Sequence, residues 1–114
     1  LIWRLVNLLI LETHFIMNRK DYPVFSGFLM YFPDAVMAVA NVSKVGNDQH
    51  NPGSPLTWDR SKSIDEPDAL MRHLIQSGTL DTDGLRHTAK VAWRAMALLQ
   101  KEIENERKNT ETSK

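Results

Sequence analysis

The stretch DTDGLRHTAKVAWRAMALLQKEI, residues 81–103, decides the fold class. Its apolar positions Leu85, Ala89, Ala92, Met96, Leu99 and Ile103 are spaced alternately four and three apart. That repeat marks one face of an α-helix; a strand would alternate every second residue. The helix is expected to start near Asp81-Thr82-Asp83-Gly84, where either acid can cap the free backbone N–H groups. Beyond Glu104 the run Asn105-Glu106-Arg107-Lys108-Asn109-Thr110 has no apolar partner, so residues 105–114 are expected to fray into a solvated tail.

Working back along the chain, Asp65-Glu66-Pro67 announces a second helix, with acids and Pro in its first turn. Leu70, Met71, Leu74 and Ile75 form its apolar strip, Asp68 and Arg72 share the opposite face, and Gly78 supplies the stop. Phe32-Pro33-Asp34 opens an earlier helix by the same device; its run from Ala35 to Ala40 predicts burial on several sides, and Gly46 is its expected end. Between Gly46 and Asp65 there is neither strand alternation nor a helical strip. A connection this long within a small domain is usually functional when ordered. The reading is all-α: a small helical domain over residues 17–104, with three main helices, an amino-terminal apolar helix and one long ordered loop.

The chain has 114 residues, which bounds it to one domain's worth of core. Hydrophobic residues at 42% and charged residues at 25% exclude wholesale disorder. Fourteen basic residues balance fourteen acidic ones, so no global charge drives the chain toward nucleic acid or an anionic membrane, and any anion site must be local. With no cysteine, metal chemistry falls to His, Asp and Glu. The apolar run from Leu1 to Leu11 is too short to span a bilayer and lacks the basic start and small-residue cleavage site of a secretory signal. Met17-Asn18-Arg19-Lys20-Asp21 has the polarity of a native amino terminus, so residues 1–16 are expected to be an upstream extension. Phe25, Phe28, Leu29 and Met30 make an apolar patch that three short helices do not cover, which predicts a homo-oligomer.

The polar residues fall into register. Asp83, His87, Lys90 and Arg94 step by four, three and four along one stripe beside the apolar seam. If the last two helices pack antiparallel, as their short connection favours, this stripe and Asp68 with Arg72 face one cleft. The cleft then collects carboxylates from Asp65, Glu66, Asp68 and Asp83, imidazoles from His73 and His87, and cations from Lys62, Arg72, Lys90 and Arg94. Such a mixture suits a phosphate ester bound through a divalent ion, with carboxylate oxygens on Mg²⁺ or Mn²⁺ and the cations on phosphate. Trp58 is placed to stack on a base. Plainer readings stand beside these. Asp68 with Arg72 is also an ordinary surface pair, the acids at helix starts are also caps, His87 is also a hydrogen-bonded core residue, and Trp58 and Trp93 are also packing groups.

Taken together, Tyr31-Phe32-Pro33-Asp34-Ala35, Gly46-Asn47, His50-Asn51-Pro52-Gly53, Pro55-Leu56, Trp58, Arg72-His73-Leu74, Asp81-Thr82-Asp83-Gly84, Arg86-His87 and Ala89-Lys90-Val91-Ala92-Trp93-Arg94-Ala95 resemble the dATP/dGTP diphosphohydrolase amino-terminal domain of phages and bacteria. The resemblance runs from about Tyr22 to Glu104. At Asp65-Glu66 the chain departs from the Asp-His expected there. The repeated Glu-Glu-x-x-Glu helix of better-known all-α pyrophosphohydrolases is absent, so their metal site is not carried over. The resemblance implies hydrolysis of a purine deoxynucleoside triphosphate to monophosphate and pyrophosphate, in the cytoplasm of a bacterial or phage-infected cell, with a small-molecule nucleotide as partner and neither membrane nor nucleic acid. The roles expected are Asp65, Glu66, Asp68 and Asp83 on the metal, His87 or His50 on the attacking water with Asp68 beside them, Lys62, Arg72, Lys90 and Arg94 on phosphates, and Trp58 and Asn51 on the rest of the substrate. The rival expectations are a nucleotide-binding module without catalysis and a small phage interaction protein.

Overall fold

The computed structural model describes residue 2 and residues 18–112. The apolar amino-terminal helix and the reading of residues 1–16 as an upstream extension fall, residue 2 apart, outside the described residues. The chain divides into two compact units, Leu1–Pro33 and Asp34–Lys114.

In the first unit Asn18 opens a 3₁₀ turn, Arg19–Asp21. Its side chain accepts from the Lys20 N–H at 2.9 Å while Asp21 accepts from the Asn18 N–H at 3.3 Å, so the free backbone donors of a short turn are met locally. A π-helical turn, Phe25–Leu29, follows. Gly27 keeps this turn clear of the Pro23 ring: a Cβ at this position would lie 3.0 Å from Pro23 Cγ, so the ring would have to give way. Phe28 and Tyr31 meet Phe32 edge-on at 5.9 and 6.0 Å, yet Phe25, Met30 and Tyr31 remain exposed, as the expected uncovered patch requires.

Three α-helices follow: α1 (Pro33–His50), α2 (Glu66–Ile75) and α3 (His87–Thr112). The fold is all-α; among the described residues the only β-type pairing is an isolated bridge between Leu80 and Arg86. Gly46 does not end α1. A glycine inside a helix costs about 1 kcal/mol, which continuing backbone bonds outweigh. The last of these runs from the Asn51 N–H to the Asn47 carbonyl at 2.7 Å, and Pro52, followed by Gly53 at φ +80°, then makes the stop. Nor is α1 buried on several sides. Ala35, Met37 and Ala40 are exposed, and Asn47 is its one buried residue.

The start of α3 lies at His87, later than the acids that were expected to cap it. Gly84 at φ +82° folds residues 81–86 into a turn, closed by the Asp81 N–H on the Leu85 carbonyl at 2.7 Å. At the other end the helix continues through Thr112 without fraying after Glu104. Helices α2 and α3 pack antiparallel: His73, late in α2, meets His87 at the start of α3, while Glu66 at the start of α2 meets Lys101 further along α3.

Which faces turn inward differs from the apolar pattern. On α2 the inward row is Glu66, Ala69, Leu70 and His73, whereas Met71, Leu74 and Ile75 are exposed. On α3 it is His87, Ala89, Lys90, Trp93, Arg94, Ala97, Lys101 and Glu104, so of the apolar seam only Ala89 is buried, with Met96 and Leu99 about half exposed on the far side. Charged side chains hold the inward position because each finds a partner of opposite sign there. Glu66, only 3% exposed, takes Lys101 at 2.9 Å and Arg94 at 3.3 Å.

Candidate functional site

A cleft of about 790 Å³ opens between the carboxyl end of α1, residues 51–65 and the first turns of α3. The loop is ordered because it is strapped to α3 at three points. Arg60 makes a two-pronged ion pair with Glu104, both contacts 2.8 Å, and lies over the Trp58 ring at 4.0 Å. Trp58 meets Trp93 edge-to-face at 5.8 Å, and the Trp93 indole N–H donates to Ser43 of α1 at 2.8 Å. Ser63 accepts from Arg94 through its hydroxyl and from Lys101 through its carbonyl.

Of the residues named from the sequence, His50, Asn51, Trp58, Lys62, Asp65, His73, Asp83, Lys90 and Arg94 line this cleft. Lys62 donates to Asn51 at 3.3 Å across its rim. Glu66, Asp68, Arg72 and His87 do not line it. Glu66 is spent on Lys101 and Arg94, Asp68 is exposed, and Arg72 reaches back to Asp65 at 3.5 Å instead of pairing with Asp68. His87 is buried behind His73, with their Nδ1 atoms 2.8 Å apart. Asp65, Glu66, Asp68 and Asp83 therefore do not gather at one point. Among the described residues the one group of three or more His, Asp or Glu ligand atoms within 4.8 Å of one another is His73, Asp81 and His87.

Asp81 and Asp83 share one cation. The Lys90 ammonium lies 2.6 Å from Asp81 Oδ2 and 2.7 Å from Asp83 Oδ2. That contact, with the Thr82 N–H on Asp81 Oδ1, holds the Asp81 carboxyl down to about 2, and Lys90 lowers Asp83 as well. Burial works against the Lys90 charge, and the two aspartates outweigh it, leaving its pKa raised. His73 is pushed down by burial, by the His87 ring and by Lys90. At neutral pH the cleft wall carries four ionised carboxylates, Asp59, Asp65, Asp81 and Asp83, against Lys62, Lys90 and Arg94. Four against three leaves one negative charge, so the cleft alone does not favour a polyanion.

Asn47, Asp81 and Trp93 also line the cleft, outside the set drawn from the sequence. Asp81 was read as a cap. The signal that could have found it is its distance to Lys90, nine residues on, once the Gly84 turn is recognised. Asn47 ties α1 to the loop by donating to the Ser54 carbonyl at 3.0 Å, a long-range bond no local pattern announces.

No single helix among the described residues is long and apolar enough to cross a membrane. No curated protein and no solved structure matches the chain. A family model does: dATP/dGTP diphosphohydrolase, N-terminal, matched over residues 18–111, which takes in the three α-helices, the strapped loop and the whole lining of the cleft. On that match the chain belongs to the dATP/dGTP diphosphohydrolase N-terminal family.

Proposed function

We propose that the cleft binds a purine deoxynucleoside triphosphate together with Mg²⁺ and hydrolyses it to the monophosphate and pyrophosphate. The observation that carries this reading is the wall itself: three cations, the four carboxylates of Asp59, Asp65, Asp81 and Asp83, and two tryptophans around one volume of nucleotide size, in a chain of this family. The surplus negative charge argues for the metal, since a polyanionic triphosphate enters such a site only with its own charge largely neutralised. Asp65 and Asp83 supply oxygen donors of the kind Mg²⁺ or Mn²⁺ takes, and the ion would offset charge on the phosphates. Lys62, Lys90 and Arg94 hold phosphate oxygens, and Trp58, already stiffened by Arg60, packs against the base. Water attacks the α-phosphorus, the bond to the bridging oxygen breaks, pyrophosphate leaves, and the proton of the water passes to His50, the imidazole on the cleft wall outside the His73–His87 pair.

The test is turnover of dATP and dGTP with Mg²⁺, read by separate assays for pyrophosphate and orthophosphate. Pyrophosphate is expected, and its loss on Mg²⁺ removal. Orthophosphate alone would refute the bond assigned. A second reading, binding without catalysis, is favoured by the pairing of Lys90 and Arg94 with protein carboxylates, which leaves few cations ready to stabilise a transition state. Saturable nucleotide binding by calorimetry with no product selects it. The exposed apolar residues Phe25, Met30, Met96 and Leu99 support association with a second copy of the chain.

A further inference from the structure

We infer that His73, Asp81 and His87 form a site for one divalent transition-metal ion of the zinc or cobalt class, separate from the Mg²⁺ that accompanies a nucleotide. The inference goes beyond the hydrolase reading and does not rest on it.

The three ligand atoms lie within 4.8 Å of one another. The two Nδ1 atoms lie 2.8 Å apart, in hydrogen-bond contact. Two nitrogens on one ion, with bonds of about 2.0–2.1 Å at a tetrahedral angle, sit roughly 3.0–3.4 Å apart, so the pair opens by a few tenths of an ångström and both rings turn toward a common point beside the line that joins them. Two imidazoles and one carboxylate suit borderline ions, whereas Mg²⁺ prefers oxygen throughout.

The chain holds this set before any ion arrives. His73 lies in the last turn of α2, His87 begins α3, and Asp81 lies in the turn between them. The His87 N–H on the Thr79 carbonyl at 3.1 Å and the Asp81 N–H on the Leu85 carbonyl at 2.7 Å fix that turn. His87 is 4% exposed, while His73 and Asp81 line the cleft, so the ion would be anchored from behind with its remaining positions facing the cavity. Lys90, on Asp81 Oδ2, and Arg94 are the cations that act on His73. Lys90 also holds Asp83, which remains its partner when Asp81 turns to the metal, and Arg94 is paired with Glu66, so both neighbouring cations keep a carboxylate of their own.

The plain competitor is a hydrogen bond between two neutral imidazoles. To separate them, chelator-treated full-length chain is titrated with CoCl₂, ZnCl₂ and, for comparison, MgCl₂, followed by calorimetry and, for cobalt, visible absorption. Cobalt and zinc are expected to saturate at one ion per chain, with cobalt showing bands of a nitrogen-containing ligand set and magnesium giving no response at the same concentration. H73Q and D81N should each weaken cobalt binding by at least about tenfold, a loss already seen when mere supporting groups of a metal site are removed. H50Q should leave it unchanged. Because His87 is buried, H87Q is scored only in a preparation whose circular dichroism matches the parent, and H73Q and D81N decide without it. Absence of saturable cobalt and zinc binding, or unchanged affinity in both H73Q and D81N, overturns the site. Mg²⁺-supported dATP turnover in a chain that takes no cobalt overturns the site alone, and cobalt binding in a chain without turnover removes only the hydrolase reading.

Discussion

The two faces of α3 reverse the common arrangement of a helix in a small domain. The inward face carries Lys90, Arg94, Lys101 and Glu104, each on an opposite charge, whereas the outward face carries Met96 and Leu99 about half exposed. Only Ala69, Ala89 and Ala97 are buried apolar residues among those described. The comparison teaches that this unit is held by paired charges around small contacts more than by a large apolar core. A net of this kind is costly to break from one side, because the partner left behind stays desolvated.

The largest effect should come from Glu66. Burial alone would raise its carboxyl, and Lys101, Ser63 and Arg94 overcome that and keep it below the usual range. Glu66→Ala leaves two cations facing each other without their carboxylate, and a loss of about 3 kcal/mol is expected in urea denaturation. Glu66→Gln, which keeps the shape and some hydrogen bonds, should lose less. A cost under about 0.5 kcal/mol for Glu66→Ala would show that the inward charges are solvated and dissolve the contrast between the faces.

A smaller effect is expected at the loop strap. Arg60 and Glu104 are partly exposed, 38% and 24% at the side chain, so Glu104→Gln should cost about 1 kcal/mol despite good geometry. Its pH dependence has a defined sign. Arg60 lowers the Glu104 carboxyl in the folded chain. The contribution is therefore complete above the ordinary glutamate value near about 4.3 and disappears as pH falls through the lowered folded value. The stability gap between parent and Glu104→Gln, measured by denaturation at falling pH, should close in the acid range and stay constant from pH 6 to 8. A gap that widens in acid would mean that the strap is not ionic.

The sequence made helix positions legible and helix faces only in part. Pro33-Asp34 and Glu66-Pro67 mark starts through backbone chemistry that tertiary contacts do not alter, and the structure begins helices there. Facing is another matter, because the count of apolar residues assumes that apolar side chains win the interior. Here Lys90 and Arg94 enter it with carboxylates supplied from 28 and fewer residues away, pairings invisible in a window of one helix. The polar stripe through His87, Lys90 and Arg94 was legible because it has its own period. The split of the acids was not. Asp81 reads as a cap until Gly84 at positive φ is known to fold it back toward Lys90, and Glu66 reads as a ligand until Lys101 reaches it from the middle of α3.

The smallest expected effect on folding lies on the outward face, and it sharpens the comparison most. Met96 and Leu99 are 52% and 50% exposed, so Met96→Gln and Leu99→Gln should change the stability of a dilute chain by no more than about 0.5 kcal/mol. If a second copy covers this face, the same substitutions act through association instead. Light scattering at rising concentration should show the parent gaining mass while the double variant does not, and the parent's unfolding midpoint should rise with concentration while the variant's stays fixed. Equal mass at every concentration would show that no second copy covers this face and would leave Met96 and Leu99 solvated.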